Sequence, residues 1–300
     1  MKQLSLGTAM WGWAVDRSAA FLLLDNFYRE GGRYIDTASN YPINGVSSDF
    51  GQSASFIAQW CKVHSVSDLK VTYKVGSVSN ENTAQNDLTY NFLHEKLVWA
   101  IQNFGENLHC IMLHWDNRSD GSMLKDTCKF LKELNQYGIE VGLSGVKYPE
   151  IYRQSLVDIG CKELNIQLKY NFLHGGFEDY MSLSSMRPKY WAYGIAAGGL
   201  KLFDSEYNKK SSVSLVRPKG YSQQLLSKKR ISILNRVIDK NIYFKSLYHI
   251  SIAYSEQEDR LFGYIIAPAR VSQLMDIFHF IEKVKFDQVH LAELTELKMS

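Results

Sequence analysis

Hydrophobic residues recur along this chain with two alternating periods, a helical stripe and a short β-rich run. Residues 16–31 carry apolar positions on one helical face and end at Gly31-Gly32, a helix-stop signal. The short strand 33–36 follows, then a helical pattern over 47–62 with Phe50, Ile57 and Trp60 on one side, then the β-rich run 69–75. The alternation continues: helix 91–104, strand 110–113, helix 123–137, strand 140–143, a helix after Pro149, strand 164–167, a less regular stretch, and strand 190–195. Two helical patterns, 222–240 and 245–257, precede a last strand at 263–266, and a first strand lies at 4–7. Eight strands, each followed by helical pattern, predict a single-domain (β/α)8 TIM barrel of the α/β class. A doubly wound open sheet is the alternative.

Composition changes the picture only by exclusion. The 300 residues include 45% hydrophobic and 22% charged ones and carry a formal net charge of +3, the balance of an ordinary globular chain. The basic residues are spread rather than clustered, so nucleic acid is not expected as a partner. Only 5 prolines occur and no Pro- or Gly/Ser-rich linker, which favours one domain over residues 1–300. Cys61, Cys110, Cys128 and Cys161 show no CxxC spacing, so neither a metal site nor a redox pair is expected, and reduced thiols are. With no signal-peptide pattern and no apolar run near the roughly 20 residues that span a bilayer, a cytoplasmic protein without membrane attachment is expected.

Candidate chemistry sits at strand ends. Asp36, Lys74, His114, Ser144 and Gln167 close strands two to six where apolar residues would pack better. In a barrel those ends face one rim, which carries the active site. Tyr41, five residues after Asp36, would join them. A phenol ionises near pH 10, and an adjacent ammonium lowers that value while a carboxylate keeps the ammonium charged and aimed. Such a group can protonate a carbonyl oxygen, with a neutral His as a hydrogen-bonding partner for that oxygen. HxH, HExxH, GxSxG, GxxxxGK[ST] and GxGxxG motifs are all missing, so metal, serine-hydrolase, phosphoryl-transfer and Rossmann-type readings lose support.

Ordered segments over nearly the whole chain resemble the aldo-keto reductase family. LGTAMWGW (6–13) resembles its opening LGTxxxG, and YIDTASNYPINGVSSDFG (34–51) resembles FIDTAxxYGxGxSExxLG. VTYKVG (71–76) is similar to the strand bearing the family's Lys, and IMLHWDN (111–117) to LLHWPD with its His. GLSG, IQLKYNFLH, AYGIAAGGL and IIAPARVSQL resemble GVSN, VQxxYNLLHR, AYSPLAGGLL and VIPGARSPEQL.

The resemblance implies an NAD(P)H-dependent reductase of an aldehyde, ketone or sugar carbonyl, or the reverse alcohol dehydrogenation. It assigns Tyr41 as general acid, Lys74 and Asp36 as its supports and His114 as the group that orients the carbonyl. Gly7 and Thr8 would approach cofactor and substrate through their backbone, Asp36 would add a cofactor contact, Ser144 and Gln167 would hold the nicotinamide carboxamide, and Tyr193, beside Gly194, would stack on its ring. Residues 267–273, with Arg270 and Gln273, would take the adenosine phosphate end, favouring NADP(H) over NAD(H). Trp11, Trp13 and Trp115 are candidates for an aromatic substrate pocket. The segment 201–221 would cover the cofactor, and 287–299 would form a C-terminal helix. Three departures stand out: the family's Asn after the strand-five Ser is Gly145, the PL after strand seven is Ile195-Ala196, and PGAR is Ala267-Pro268-Ala269-Arg270. The first of them leaves open a non-catalytic relative that binds the cofactor as a redox sensor, as in potassium-channel beta subunits.

Overall fold

The computed structural model describes residues 1–81, 85–207, 221–286, 289 and 291–298. Eight strands form one closed parallel barrel in sequence order: β1 (Gln3–Gly7), β2 (Tyr34–Ala38), β3 (Lys70–Val75), β4 (Leu108–His114), β5 (Glu140–Ser144), β6 (Leu164–Lys169), β7 (Lys189–Tyr193) and β8 (Leu261–Ile266). Each strand pairs with the next, and β8 closes on β1 with Gly263 opposite Gln3. The predicted barrel is therefore the observed one.

Helices α1 (Arg17–Arg29), α2 (Gln52–His64), α3 (Tyr90–Phe104), α4 (Lys125–Gln136) and α5 (Arg153–Asp158) follow the first five strands, and a 3-10 segment, Glu178–Met186, follows β6. After β7 come α6 (Tyr221–Leu225), α7 (Lys228–Asp239) and α8 (Leu247–Glu256); α9 (Val271–Lys283) and the short α10 (Thr295–Lys298) follow β8. The ends have local causes. The Asp16 carboxylate accepts from the Ala19 N–H at 2.8 Å and starts α1, and the Ser227 hydroxyl accepts from the Arg230 N–H and starts α7.

Several boundaries differ from the periodic reading. The pattern over 47–62 is two elements, because Gly51 takes φ +82° and separates the 3-10 turn Ser47–Asp49 from α2. Likewise 222–240 divides into α6 and α7 at the Ser227 cap. The helix expected after the last strand is α9: Leu274, Ile277 and Phe280 are buried at three-residue spacing, and Phe278 meets Phe27 of α1 at 6.0 Å between ring centroids. Of the predicted C-terminal helix 287–299, the described part is a 3-10 turn, Ala292–Leu294, and α10. Within the proposed cofactor-covering segment 201–221, residues 208–220 lie outside the described residues.

Two hydrophobic clusters form among the described residues. The larger lies between strands and helices; the smaller fills the barrel itself, with Cys110, Met112 and Trp191 packed against Tyr34 and Phe262. Trp191 donates its indole N–H to Asn165 Oδ1 at 3.0 Å. All four cysteines are free, two buried and two partly exposed.

This filling demands small residues nearby. A Cβ on Gly263 would stand 2.5 Å from the Gln3 carbonyl oxygen and 2.5 Å from the Trp191 ring. Gly263→Ala is expected to destabilise the fold by about 1–3 kcal/mol in denaturant titration. Gly121→Ala is the control, at about 0.5 kcal/mol or less, because the nearest atom to its Cβ would be 3.9 Å away.

Candidate active site

Five polar side chains from five successive strands are buried at the carboxyl end of the barrel. Asp36, Lys74, His114, Ser144 and Gln167 are each no more than 5% exposed. His114 and Ser144 do end their strands, but β2 runs on past Asp36 to Ala38, β3 past Lys74 to Val75 and β6 past Gln167 to Lys169. Their burial follows from inward alternation along the strands, which turns these groups toward one another at the barrel mouth.

Lys74 Nζ lies 2.5 Å from Asp36 Oδ2. Asp36 Oδ1 accepts from the Gln167 amide, whose own oxygen accepts from Ser144 Oγ at 3.1 Å. Tyr41, half-buried, comes from the loop after β2, which is held by backbone bonds: Ser39 N–H donates to the Lys74 carbonyl and Ser53 N–H to the Tyr41 carbonyl. Asn40 fastens the same loop to the one after β3 by donating to Ser77 Oγ and the Ser79 carbonyl. Lys74 Nζ is 4.8 Å from the Tyr41 ring centroid, and the Tyr41 and His114 rings meet nearly edge-on at 6.1 Å. The four residues of the predicted catalytic set are thus brought together.

The electrostatics follow from dryness. Burial pushes the Tyr41 phenol above its ordinary value; Lys74 pulls it down and Asp36 pushes it up. The expected effect of Lys74 is present but outweighed. Burial alone would depress Lys74, but Asp36 and Tyr41 outweigh it and hold the ammonium above its usual range. Burial, and then Lys74, drives His114 well below the usual imidazole range, so it is neutral at pH 7. His114 Nδ1 has no hydrogen-bond partner among the described residues. One compensated ion pair, a protonated phenol and a neutral imidazole can give a proton to an uncharged oxygen and steady the charge left behind.

The other predicted residues divide. Gly7 lies where β1 and β8 approach: a Cβ would be 2.7 Å from the Ile265 side chain and 3.2 Å from the Ile266 carbonyl oxygen. Thr8 is buried, and both its N–H and its hydroxyl donate to the Asp36 carbonyl, so it ties β1 to β2 and does not present its N–H to a ligand. Tyr193, 37% exposed, ends β7, and Gly194 beside it takes φ +64°. Exposed Arg270 is the N-cap residue of α9. Gln273 uses its side-chain oxygen to accept from the Ala269 N–H, which fixes the loop before α9. Trp13 and Trp115 are half-buried. Trp11, only 1% exposed, belongs to the large core and packs there instead of lining an opening.

Sequence reasoning missed the cluster that shapes the rim after β4. Trp115 adopts φ +65°, a strained conformation for a bulky residue, and pairs its N–H with the Ser144 carbonyl beside left-handed Gly145. Asn86 donates to the Trp115 carbonyl at 2.5 Å. Next in the chain, fully buried Asp116 accepts from Arg118 Nη2 at 2.9 Å and from the Tyr152 hydroxyl, and its carbonyl accepts from the Lys147 N–H. Arg118 also donates to Thr127 Oγ1. The signal available was the charged pair Asp116 and Arg118 directly after the strand that ends at His114.

Among the described residues no group of three or more His, Cys, Asp or Glu is placed to hold a metal, and no helix is long and apolar enough to cross a membrane. Residues 3–298 match the family model described as Aldo/keto reductase family. The chain is also similar to an uncharacterized 11.2 kDa protein in the crtE 3' region of Pseudescherichia vulneris, 34% identical over 76 residues that make up 25% of this chain and 74% of that one.

Proposed function

Because the chain belongs to the aldo/keto reductase family, we propose that it reduces the carbonyl of a small aldehyde, ketone or sugar to the alcohol with a nicotinamide cofactor, or runs the reverse oxidation. The observation that carries this reading is the buried Lys74–Asp36 pair beside Tyr41, with neutral His114 edge-on to the same ring.

The residues around the rim fit such a cofactor. Gly7 and left-handed Gly194 are backbone positions where a side chain would intrude or strain, Tyr193 offers an aromatic face, and Ser144 lies beside His114 on the adjoining strand. Exposed Arg270 at the N-terminus of α9 combines a guanidinium with the positive end of a helix, a pairing suited to a phosphate. When bound, a reduced nicotinamide supplies the hydride that reaches the carbonyl carbon. His114 donates a hydrogen bond to the carbonyl oxygen through its Nε2–H tautomer, and Tyr41 transfers its phenolic proton to that oxygen. The Lys74 ammonium steadies the resulting phenolate, and Asp36 keeps the ammonium in place. In this reading half-buried Trp13 and Trp115 would wall the substrate opening, a lining that suits a hydroxyl-rich sugar as well as an aromatic aldehyde.

The test mixes the protein with NADPH or NADH and a panel of aldehydes and aldoses, following cofactor absorbance and quenching of Trp fluorescence. Quenching without turnover sinks the reductase reading in favour of a redox sensor, and no quenching by either dinucleotide sinks both. For the cofactor preference, Arg270→Ala is expected to raise the Kd for NADPH about tenfold while changing that for NADH less than twofold, the difference one charge-assisted phosphate contact makes. Equal losses for both dinucleotides would remove Arg270 from the 2′-phosphate.

A further inference from the structure

We infer that Asn86 is a positioning residue that holds Trp115 as a fixed wall beside His114 and so gives the mouth a preference for flat, wide carbonyl substrates, an inference that rests on the reductase reading above. Trp115 follows His114 directly, and the two rings stand 5.5 Å apart between centroids. Its φ of +65° lies in the left-handed region, which a bulky residue keeps only where its surroundings over-determine it. Three contacts do so. The Trp115 N–H donates to the Ser144 carbonyl, the Asn86 side chain donates to the Trp115 carbonyl, and the next residue, Asp116, is fully buried and accepts from the Arg118 guanidinium and the Tyr152 hydroxyl. Of the three, only the Asn86 bond reaches Trp115 from the side of β3.

Asn86 is itself braced. The Val78 N–H donates to the Gln85 carbonyl at 3.2 Å and the Asp87 N–H to the Gly76 carbonyl at 2.8 Å, so Ser77 and Asn86 face each other as an antiparallel bridge just past β3. Ser77 Oγ in turn accepts from Asn40, the residue before Tyr41. One short ladder therefore runs from the loop that carries the acid to the carbonyl of the wall, and it fixes the two relative to each other. On the other side Gly145 leaves the indole its place, since a Cβ there would already stand 3.8 Å from the ring. A wall that cannot turn favours a flat partner: an aryl group laid against the indole meets a preorganised surface, whereas a short aliphatic aldehyde has too little area to gain from it.

Asn86→Leu keeps the side chain's shape and removes its donor. The experiment compares kcat/KM for 2-naphthaldehyde with that for propanal. The ratio of the two is expected to fall about fivefold or more, through a higher KM for 2-naphthaldehyde, while the Kd for NADPH stays within about twofold. Made in the Trp115→Ala protein, the same substitution is expected to move the ratio less than about twofold, because the wall it positions has gone. A merely structural role moves the ratio in both backgrounds. Trp115 itself is followed as the difference in acrylamide quenching between each protein and its Trp115→Ala counterpart, and its quenching constant is expected to rise about twofold in Asn86→Leu. Should Asn86→Leu fail to fold, Asn86→Ala, which also lacks the donor, carries the same expectations. An unmoved ratio in the folded variant overturns the inference, as does an equal fall in the Trp115→Ala background, an unmoved quenching constant, or a wild-type kcat/KM that favours propanal. If the wild-type protein turns over no carbonyl, the reductase reading falls by itself, and the quenching comparison still decides whether Asn86 holds Trp115.

Discussion

Tyr41→Phe is expected to lower kcat for carbonyl reduction by about 10²–10⁴-fold while leaving the Kd for the cofactor within about twofold, the loss typical of removing a positioned general acid. Phenylalanine retains the ring that meets His114 edge-on and lies over the Lys74 ammonium, so fold and pocket shape are preserved and only the proton goes. Steady-state kinetics with fluorescence titration of the cofactor separates the two effects. A variant that keeps more than a tenth of the wild-type kcat would show that another group protonates the oxygen. The wild-type pH profile carries the matching signature. Burial holds the Tyr41 phenol above its ordinary value, and His114 stays neutral because its imidazole is driven well below the usual range. The kcat for reduction is therefore expected to be flat through neutral pH and to fall only on the alkaline side, as Tyr41 loses its proton. A limb near pH 6.5, where an unperturbed histidine titrates, would contradict this assignment.

Lys74→Met is the substitution expected to cost most stability. It leaves Asp36 buried and charged without its cation, a loss of about 3–5 kcal/mol for a buried pair broken on one side. For a chain of this size that is about 5–8 °C in Tm. Asp36→Asn with Lys74→Met is expected to be more stable than Lys74→Met alone, because the orphaned charge has gone. Calorimetry on the four proteins of the cycle decides, and a double variant less stable than the single one would refute the account. The sign of the pH dependence is fixed by Lys74, which is held above its usual range in the folded protein. Its contribution is fully present below the value it has in the unfolded chain and is lost as pH rises through the folded-state value. The gap between wild type and Lys74→Met should therefore persist through neutral pH and narrow only under alkaline conditions. Reductase activity of Lys74→Met should fall as well, since the phenolate left by proton transfer has lost its counter-ion.

The strand–helix alternation was legible because period-2 and period-3.6 patterns are imposed by burial, and in this barrel nearly every element is buried on one side at least. Breaks inside a continuous apolar stripe were not legible. Periodicity runs straight through Gly51 and Ser227, and only the left-handed φ at one and the hydroxyl cap at the other end the helix there. For the site, Asp36, Lys74, His114, Ser144 and Gln167 could be read as polar residues where apolar ones were due. Their partners could not. That Gln167 binds Asp36 across the barrel depends on ring closure and on the stagger of β2 against β6, a property of the whole sheet that no local spacing encodes. Trp11 and Trp115 are both tryptophans in rim segments, yet one enters the core and the other is held strained at the rim by Asn86 and by pairing with Ser144. That difference arises in tertiary contacts alone.

The aromatic filling of the barrel has a consequence for traffic. Trp191, Tyr34, Phe262 and Met112 occupy the interior beneath the buried ion pair, so the barrel is stoppered at its amino end and offers no through-passage. Under the reductase reading, the proton that Tyr41 gives to product is expected to be replaced through the mouth of the barrel, by which substrate would enter and product leave, so that departure of the product, rather than a relay through the filled interior, resets the acid.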